Sequence, residues 1–545
     1  MPDMPEVDIA IVGFGPVGAV LAGLLGQGGV NVAVLERAAV PLNLPRATYF
    51  DREVMRIFQT AGYANQIQKI TSSNRKYTFY SAAGEVLTGF DHLEGPTPWG
   101  MDTGFNFYQP DLEKILREAA QAWPRVDVRT GAEVTHIEQG DDHVTLALSG
   151  GERLRARWVV GCDGGASTVR RAVGIALEDL DFDEPWIVLD VFANNELPLP
   201  RDEVIQRCDP ARPSTYIPSF GRHRRWEFML LPGEDQEARV SPEGVAELLA
   251  TWSLSPEDVE VVRSAVFRFH ALLAAPWRRG RVLLAGDAAH QMPPFFGQGM
   301  CAGIRDAANL AWKLERVLRG TSPPELLDTY ERERAPHVRS LIELSTTLGG
   351  IVCTTDPVIA AERDVRMRAE AAEAGVGPRP DPLEFIPALT DGLLHDPPAG
   401  DDSRAGHQFI QPLVGTASGQ SGLLDDVVGQ GFVLLGLGCD PTPLDSGLAA
   451  WWRQTGSTAV IAAAGGPAQS EFDGMAIIDL DGFLTAWLRQ ADAEAVLIRP
   501  DHYVFGVATR VGETAELVAD LRRLLDCQPT QSVPSAALDG RSSTS

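Results

Sequence analysis

The most constraining stretch of this chain lies near its start. Asp8-Ile9-Ala10-Ile11-Val12 is a short apolar run, and Gly13-Phe14-Gly15-Pro16-Val17-Gly18 follows it directly. The apolar run predicts a buried strand, and the residues from Ala19 to Leu25 continue as a helix. Asn31 to Leu35 predicts a second strand, which ends in Glu36. Strand, glycines, helix, strand and terminal acid together make a dinucleotide-binding unit. The glycines allow a tight turn and the close approach of a pyrophosphate, and the acid holds ribose hydroxyls. Gly13, Gly15, Gly18 and Glu36 are therefore expected to bind a cofactor. Glu36 further implies a free 2′-hydroxyl on its adenosine, as in FAD or NAD.

Two later stretches read as further cradles. Trp158-Val159-Val160-Gly161 runs into Cys162-Asp163-Gly164-Gly165 and then Ser167 to Arg171. There Asp163 can hold backbone amides, Gly164 can take an unusual dihedral, and Arg170 or Arg171 can face a phosphate. Ala285-Gly286-Asp287-Ala288-Ala289-His290 leads through Pro293-Pro294-Phe295-Phe296-Gly297-Gln298-Gly299-Met300 into an amphipathic run ending near Leu318. It reads as strand, acidic turn, loop and helix. The free amides at such a helix start favour a ligand edge that carries negative charge, and Asp287 is placed to accept a sugar hydroxyl. Arg46, in a loop before the helix from Arg52 to Ala61, can reach a phosphate or a bound ring, and Gln109 can make a polar contact to a ring.

Composition narrows the partners. With 74 acidic against 47 basic residues the net charge is −27, which disfavours nucleic acid and anionic membrane surfaces. The 545 residues are enough for several cores. Cys162, Cys208, Cys301, Cys353, Cys439 and Cys527 stand apart, with no CxxC and no metal-ligand spacing. No metal is expected, and the thiols read as reduced. No apolar run approaches the roughly 18 residues a membrane span needs, and the amino terminus is acidic where a signal peptide is basic. A cytoplasmic protein is expected.

From Glu184 to Phe269 the pattern changes to period-two alternation, as in Arg225-Trp226-Glu227-Phe228-Met229. Such runs between Pro/Gly turns predict an antiparallel sheet with one buried face, joined by an insertion from about Thr71 to Thr103. Past Leu318, helical periodicity continues to about Ala374, and the Pro/Gly/Asp-rich stretch that follows reads as a linker. Beyond it, strands and helices alternate in a small α/β unit, and the last residues are small and polar.

Three motifs in this order, GFGPVG with Glu36, GCDGGASTVR and AGDAAH…FFGQGM, resemble those of single-component FAD-dependent aromatic hydroxylases, the p-hydroxybenzoate hydroxylase class. Cys208 to Pro213, Arg225 to Met229, Leu327 to Tyr330 and Arg499-Pro500-Asp501 are most similar to the 3-(3-hydroxyphenyl)propionate hydroxylases within it. The resemblance implies an α/β fold: a Rossmann-type FAD-binding domain (1–72, 103–180 and 279–375), an inserted antiparallel-sheet substrate domain (73–102 and 181–278), a linker (376–402), a thioredoxin-like C-terminal domain (403–527) and a disordered tail (528–545). Without a CxxC, the C-terminal domain is expected to serve packing or homodimerisation.

The resemblance also implies roles. Gly13, Gly15 and Gly18 meet the pyrophosphate and Glu36 the ribose. Arg46, Gln109, Asp163, Gly164, Arg170, Asp287, Pro294, Gly297, Gly299 and Met300 complete the FAD site. The implied activity hydroxylates a small phenolic substrate ortho to its hydroxyl, with NADH or NADPH and O2, through a flavin C4a-hydroperoxide. Phe295, Phe296, Arg225 and Phe228 are the expected substrate pocket. Arg225 is placed either against a substrate carboxylate or on the solvent face. His223, His270 and Tyr216 are the candidates for the base that deprotonates the phenol. A Baeyer-Villiger or epoxidising enzyme acting on a polyketide-like substrate shares the same cofactor motifs, and a non-catalytic dinucleotide-binding protein shares the first of them.

Overall fold

Glu6–Val12 lies inside a sheet whose strands run in the order Arg278–Arg279, Val282–Leu284, Arg153–Gly161, Glu6–Val12, Val32–Glu36, Val126–Thr130. Pairing is parallel from Val282–Leu284 through Val126–Thr130. The helices Pro16–Gln27 and Gly299–Leu318 pack against each other beside this sheet. Ile9, Ala10 and Ile11 are fully buried, as a parallel strand covered on both faces must be, and this is why its sequence is apolar without alternation. The computed structural model describes residues 6–41, 44–91, 97–374, 381–395, 404–416, 418–442, 444–455, 458–463 and 474–526. The expected tail 528–545 and Cys527 lie outside the described residues.

A second, eight-stranded sheet runs in the order His290–Gln291, Val259–Ala275, Ala176–Ala193, His223–Met229, Ser214–Ile217, Glu203–Cys208, Lys76–Ser81, Val86–Asp91. It is antiparallel except where Glu203–Cys208 pairs in parallel with Lys76–Ser81. The insertion near residue 75 therefore joins the sheet as a hairpin, whereas Thr71–Ser73 belongs to a separate three-stranded sheet with Tyr49–Asp51 and Gly104–Phe107. One face of the large sheet is a hydrophobic core of its own. Ile187, Leu189, Tyr216, Trp226 and Phe228 pack there against Val245, Leu248 and Leu249 of the helix Pro242–Ala250.

The C-terminal sheet places Thr458–Ala463, Val433–Leu437, Ala495–Ile498 and Val504–Ala508 side by side, the first pair parallel and the others antiparallel. That order is the core of a thioredoxin-like unit, extended here by Met475–Asp479 and the hairpin of Leu413–Thr416 with Ser421–Leu423. The unit is bound tightly to the first domain. Arg56 donates to Asp425 at 2.6 and 2.8 Å, and Arg499 donates to Glu333 at 2.7 Å. Within the expected linker, residues 381–395 are packed: Asp381 pairs with Arg52 at 2.8 Å and Leu393 is fully buried. Residues 376–380 and 396–402 of that linker lie outside the described residues. Among the described residues, no single helix is long and apolar enough to cross a membrane.

Candidate active site

Three parallel strands deliver the three sequence cradles to one place, because each cradle begins where its strand ends. Val12 leads to Gly13, Gly161 to Cys162 and Asp163, and Leu284 to Gly286 and Asp287. A crevice at the carboxyl ends of parallel strands is where this kind of sheet binds ligands. Gly13 has a φ of +101°, and a Cβ there would lie 2.4 Å from the Cys162 carbonyl oxygen, so only glycine lets the first two cradles touch. At Gly15 a Cβ would meet nothing within 4 Å. The missing side chain leaves open space over the uncapped start of the Pro16–Gln27 helix.

That space is part of a cavity of about 350 Å³. One wall is made of cradle residues: Gly15, Gly164, Ala285, Asp287, Pro294, Gly297, Gly299 and Met300. Asp287 is exposed. Gly299 and Met300 open the Gly299–Leu318 helix, whose first residues have no side-chain cap. The amides they carry are available to a ligand. This wall fits FAD: it offers a side-chain-free approach, a free helix start and an acid for a sugar hydroxyl.

Of the remaining cofactor candidates, Glu36, Asp163 and Arg170 support this wall from behind, while Gln109 and Arg46 line the cavity. Glu36 accepts hydrogen bonds from the Phe14 and Ala38 amides at 2.8 and 2.9 Å, which fixes the glycine turn against the second strand. Asp163 accepts from the Thr168 and Val169 amides at 2.6 and 3.0 Å and from Ser167 Oγ at 2.5 Å. Arg170 was expected to face a phosphate, but its guanidinium donates to the Ala288 and Gly165 carbonyls, both at 2.9 Å. A buried cation needs acceptors, and here they tie the second cradle to the third. Gln109 lines the cavity and its Oε1 accepts the Arg46 and Ala47 amides at 2.5 and 2.6 Å. The Arg46 side chain is exposed and lines the cavity.

Two residues that the sequence reading did not single out hold the third cradle. Asp306 accepts from the Gly286 amide at 3.0 Å, from His290 Nε2 at 2.7 Å and from Arg334 Nε at 2.9 Å. His290 is thereby a structural residue, stacked on Trp277. Arg305 donates to Gln298 and Asp51 at 2.8 and 2.6 Å and pairs with Glu53. Tyr503 of the C-terminal unit donates to the other Glu53 oxygen at 2.7 Å. The C-terminal unit thus reaches the loop before Gly299 through a continuous buried hydrogen-bond chain.

The opposite wall belongs to the large sheet, and here several expectations need correction. Arg225 and Glu227 line the cavity together with Thr215, Ile217, Val204 and Gln206. These positions alternate along their strands, with Thr215 opposite both Glu227 and Gln206. Phe228 and Tyr216 have the other parity and lie in the core against the helix Pro242–Ala250, where Tyr216 donates to the Pro200 carbonyl at 3.1 Å. Arg225 and Phe228 cannot share a face, because a strand turns every second residue the same way. Nor is Arg225 on the solvent face or free for a substrate carboxylate. It is buried, with Nε on Asp190 at 2.8 Å and its other nitrogens on the Arg46 and Pro45 carbonyls at 2.6 and 2.8 Å.

Phe296 lines the cavity, whereas Phe295 packs among Phe182, Trp186 and Phe269. Of the three candidate bases, His223 shares the sheet face of Arg225 and Glu227 but lies outside the cavity lining, buried against Tyr108, with its nitrogens 2.7 Å from Ser219 Oγ and 3.0 Å from Asp190. Burial lowers its pKa. His270 does line the cavity, half-buried, with Nδ1 at 3.6 Å from Asp183. Among the described residues no cluster of side chains suits a metal.

The polar row on the sheet wall is connected. Thr215 Oγ1 donates to Gln206 Oε1, and Gln206 Nε2 donates to the Tyr77 hydroxyl, both at 2.6 Å. Tyr77 in turn donates to the Phe295 carbonyl. Glu227 ends the row. Among the described residues it takes no hydrogen bond, and its closest cation is Arg225 Nη1 at 3.8 Å. Burial pushes its carboxyl up to about 7. The signal for Glu227 was present in the sequence: within Arg225-Trp226-Glu227-Phe228 the charged and the aromatic residues alternate.

Comparison with known proteins agrees with this geometry. Residues 6–345 match the family described as FAD binding domain, and residues 406–524 match the HcaD C-terminal domain. The chain is 41% identical over 525 residues to a probable NADH-specific resorcinol 4-hydroxylase of Rhodococcus jostii, covering 94% of each chain. It is 35% identical to a 3-(3-hydroxy-phenyl)propionate/3-hydroxycinnamic acid hydroxylase of Burkholderia vietnamiensis, covering 93% of this chain and 94% of the relative. Among solved structures, aklavinone-11 hydroxylase in complex with FAD and aklavinone superimposes with a TM-score of 0.76 at 25% identity, over 96% of this chain and all of that one. The anhydrotetracycline hydroxylase OxyS of Streptomyces rimosus gives 0.73 at 27% identity, with the same coverage. With glycine-lined strand ends on one wall of the cavity and a polar sheet on the other, this chain belongs to the FAD-dependent aromatic hydroxylases.

Proposed function

We propose that this protein hydroxylates a phenol carrying a meta substituent, of the 3-(3-hydroxyphenyl)propionate or resorcinol kind, ortho to its hydroxyl and at the expense of NADH and O2. The observation that carries this reading is the single cavity shared by the FAD wall and the polar sheet wall. The names of the two relatives support the substrate class, and the first supports NADH as reductant.

Bound FAD supplies the redox and oxygen chemistry, and the chain supplies seat, orientation and shelter from water. Gly15, Asp287, Gly299 and Met300 hold the cofactor. Phe296 gives an aromatic ring an apolar surface, and Gln206 and Thr215 offer polar atoms that a substituted phenol can engage. Five described cysteines are free, which supports a cytoplasmic enzyme. Leu413 and Leu480 are exposed beside each other on the C-terminal sheet and support a homodimer, for which mass in solution is the test.

The experiment is a panel of resorcinol, 3-(3-hydroxyphenyl)propionate and other phenols with NADH or NADPH, following oxygen uptake and product together. We expect NADH oxidation stimulated by a meta-substituted phenol and matched by a hydroxylated product. Oxidation that yields only peroxide across the panel would refute the reading.

A further inference from the structure

The proposed reaction needs a group that takes the proton of a phenol, and the cavity limits the choice. Among the described residues, its carboxylate and imidazole proton acceptors are Asp287, His270 and Glu227. Asp287 is exposed on the cofactor wall. His270 is half-buried beside the exposed Asp183. Glu227 alone is both buried and on the sheet wall, at the end of the row through Thr215, Gln206 and Tyr77.

We infer that Glu227 accepts the proton of the substrate's phenolic hydroxyl. The inference rests on the reading of the substrate as a phenol. In the step, the phenol O–H bond breaks, an O–H bond forms on a Glu227 carboxylate oxygen, and the electron pair stays on the phenol oxygen, enriching the ring. After hydroxyl transfer the ring carbon gives up its hydrogen as a proton to water, the C–H electron pair restores aromaticity and returns negative charge to the phenol oxygen, and the Glu227 proton goes back to that oxygen. Glu227 ends the cycle ionised.

The surroundings suit this role. Arg225 at 3.8 Å is the nearest cation, but Asp190 and two carbonyls already hold it. Burial opposes the ionised form most strongly and Asp190 adds to it, while Arg225 and Arg263 favour that form and are outweighed. Tyr77 also faces the carboxyl and stays protonated, because burial raises its own pKa. A carboxyl held at about 7 is ionised in useful amounts near neutral pH. It is also closer to a phenol's ordinary pKa of about 10 than an ordinary carboxylate is.

The test compares wild type, Glu227→Gln and Glu227→Asp as FAD-loaded enzymes. Glu227→Gln should lower the hydroxylation rate at neutral pH about 100- to 1,000-fold, while anaerobic flavin reduction by NADH stays within a few-fold of wild type. Glu227→Asp should recover part of the rate. The hydroxylation rate followed with pH should rise through an ionisation near 7 in wild type, and Glu227→Gln should lack that ionisation. Equal rates and superimposable pH profiles in the two proteins would overturn the inference. Should Glu227→Gln fail to fold, wild type alone decides, since a hydroxylation rate without an ionisation near pH 7 also overturns it. Absence of hydroxylated product from wild type on every phenol would instead refute the proposed function.

Discussion

Glu333 and Glu227 are both almost fully removed from solvent, yet their carboxyls move in opposite directions. Burial alone raises a carboxyl. At Glu333 it is overcome: Arg499 and Lys313 each donate to one oxygen at 2.7 Å, Asn309 adds a bond at 2.6 Å, and the Leu393 amide binds the other oxygen at 2.8 Å. The carboxyl falls to about 2. At Glu227 no such donors are present among the described residues, and the carboxyl rises to about 7. Packing of the C-terminal unit against the Asp328–Val352 helix creates the first environment, and an open cavity creates the second. The same side chain is a structural lock in one place and a titrating group in the other.

The largest test of this contrast is Glu333→Ala. It leaves Lys313 and Arg499 buried without their common partner, which should cost about 3–5 kcal/mol, read as a lowered unfolding midpoint. A loss below about 1 kcal/mol would mean that the lock is redundant.

A second test uses pH. Glu333 has a folded pKa below its unfolded value near 4.5, so its contribution is present above pH 4.5 and is lost as pH falls toward 2. Glu227 has a raised folded pKa, so its contribution is present below 4.5 and is lost as pH rises toward 7. Each is worth about 3 kcal/mol over its window. Unfolding free energies of wild type and Glu227→Gln should therefore diverge between pH 4.5 and 7, with the variant gaining as pH rises. Parallel curves would place the Glu227 carboxyl in an ordinary environment.

The smallest expected effect is Thr215→Val. It removes one bond from the cavity row, whose partner Gln206 keeps Tyr77 and cavity space, and should cost about 1 kcal/mol. The substrate KM should move more than stability does. A loss as large as that of Glu333→Ala would show that the row is a lock like the other.

The cofactor wall was readable because it is local. Strand, glycine turn and helix follow one another in sequence, so Gly13, Gly15, Asp287 and Gly299 could be placed from spacing alone. Alternation also determined that the residues around Arg225 form a strand with two unlike faces. It did not say which face meets the cavity. Trp226 and Phe228 look like the lining of an aromatic pocket, and Arg225 with Glu227 looks like a solvent face. Only the tertiary structure decides, since the helix Pro242–Ala250 covers the aromatic face and the cofactor domain covers the charged one.

Arg225 is the sharpest case. Its guanidinium is held by Pro45, 180 positions away in sequence, and by Asp190 on the neighbouring strand. The reach of Tyr503 to Glu53, across 450 positions, is equally invisible to spacing. The chain by itself determined the dinucleotide cradle, the sheet and the order of its units, because these follow from residue periods and turn chemistry. Which carboxyls are paired and which face an open cavity was decided by the fold, because the polarity around a buried charge is set by segments that meet only in three dimensions.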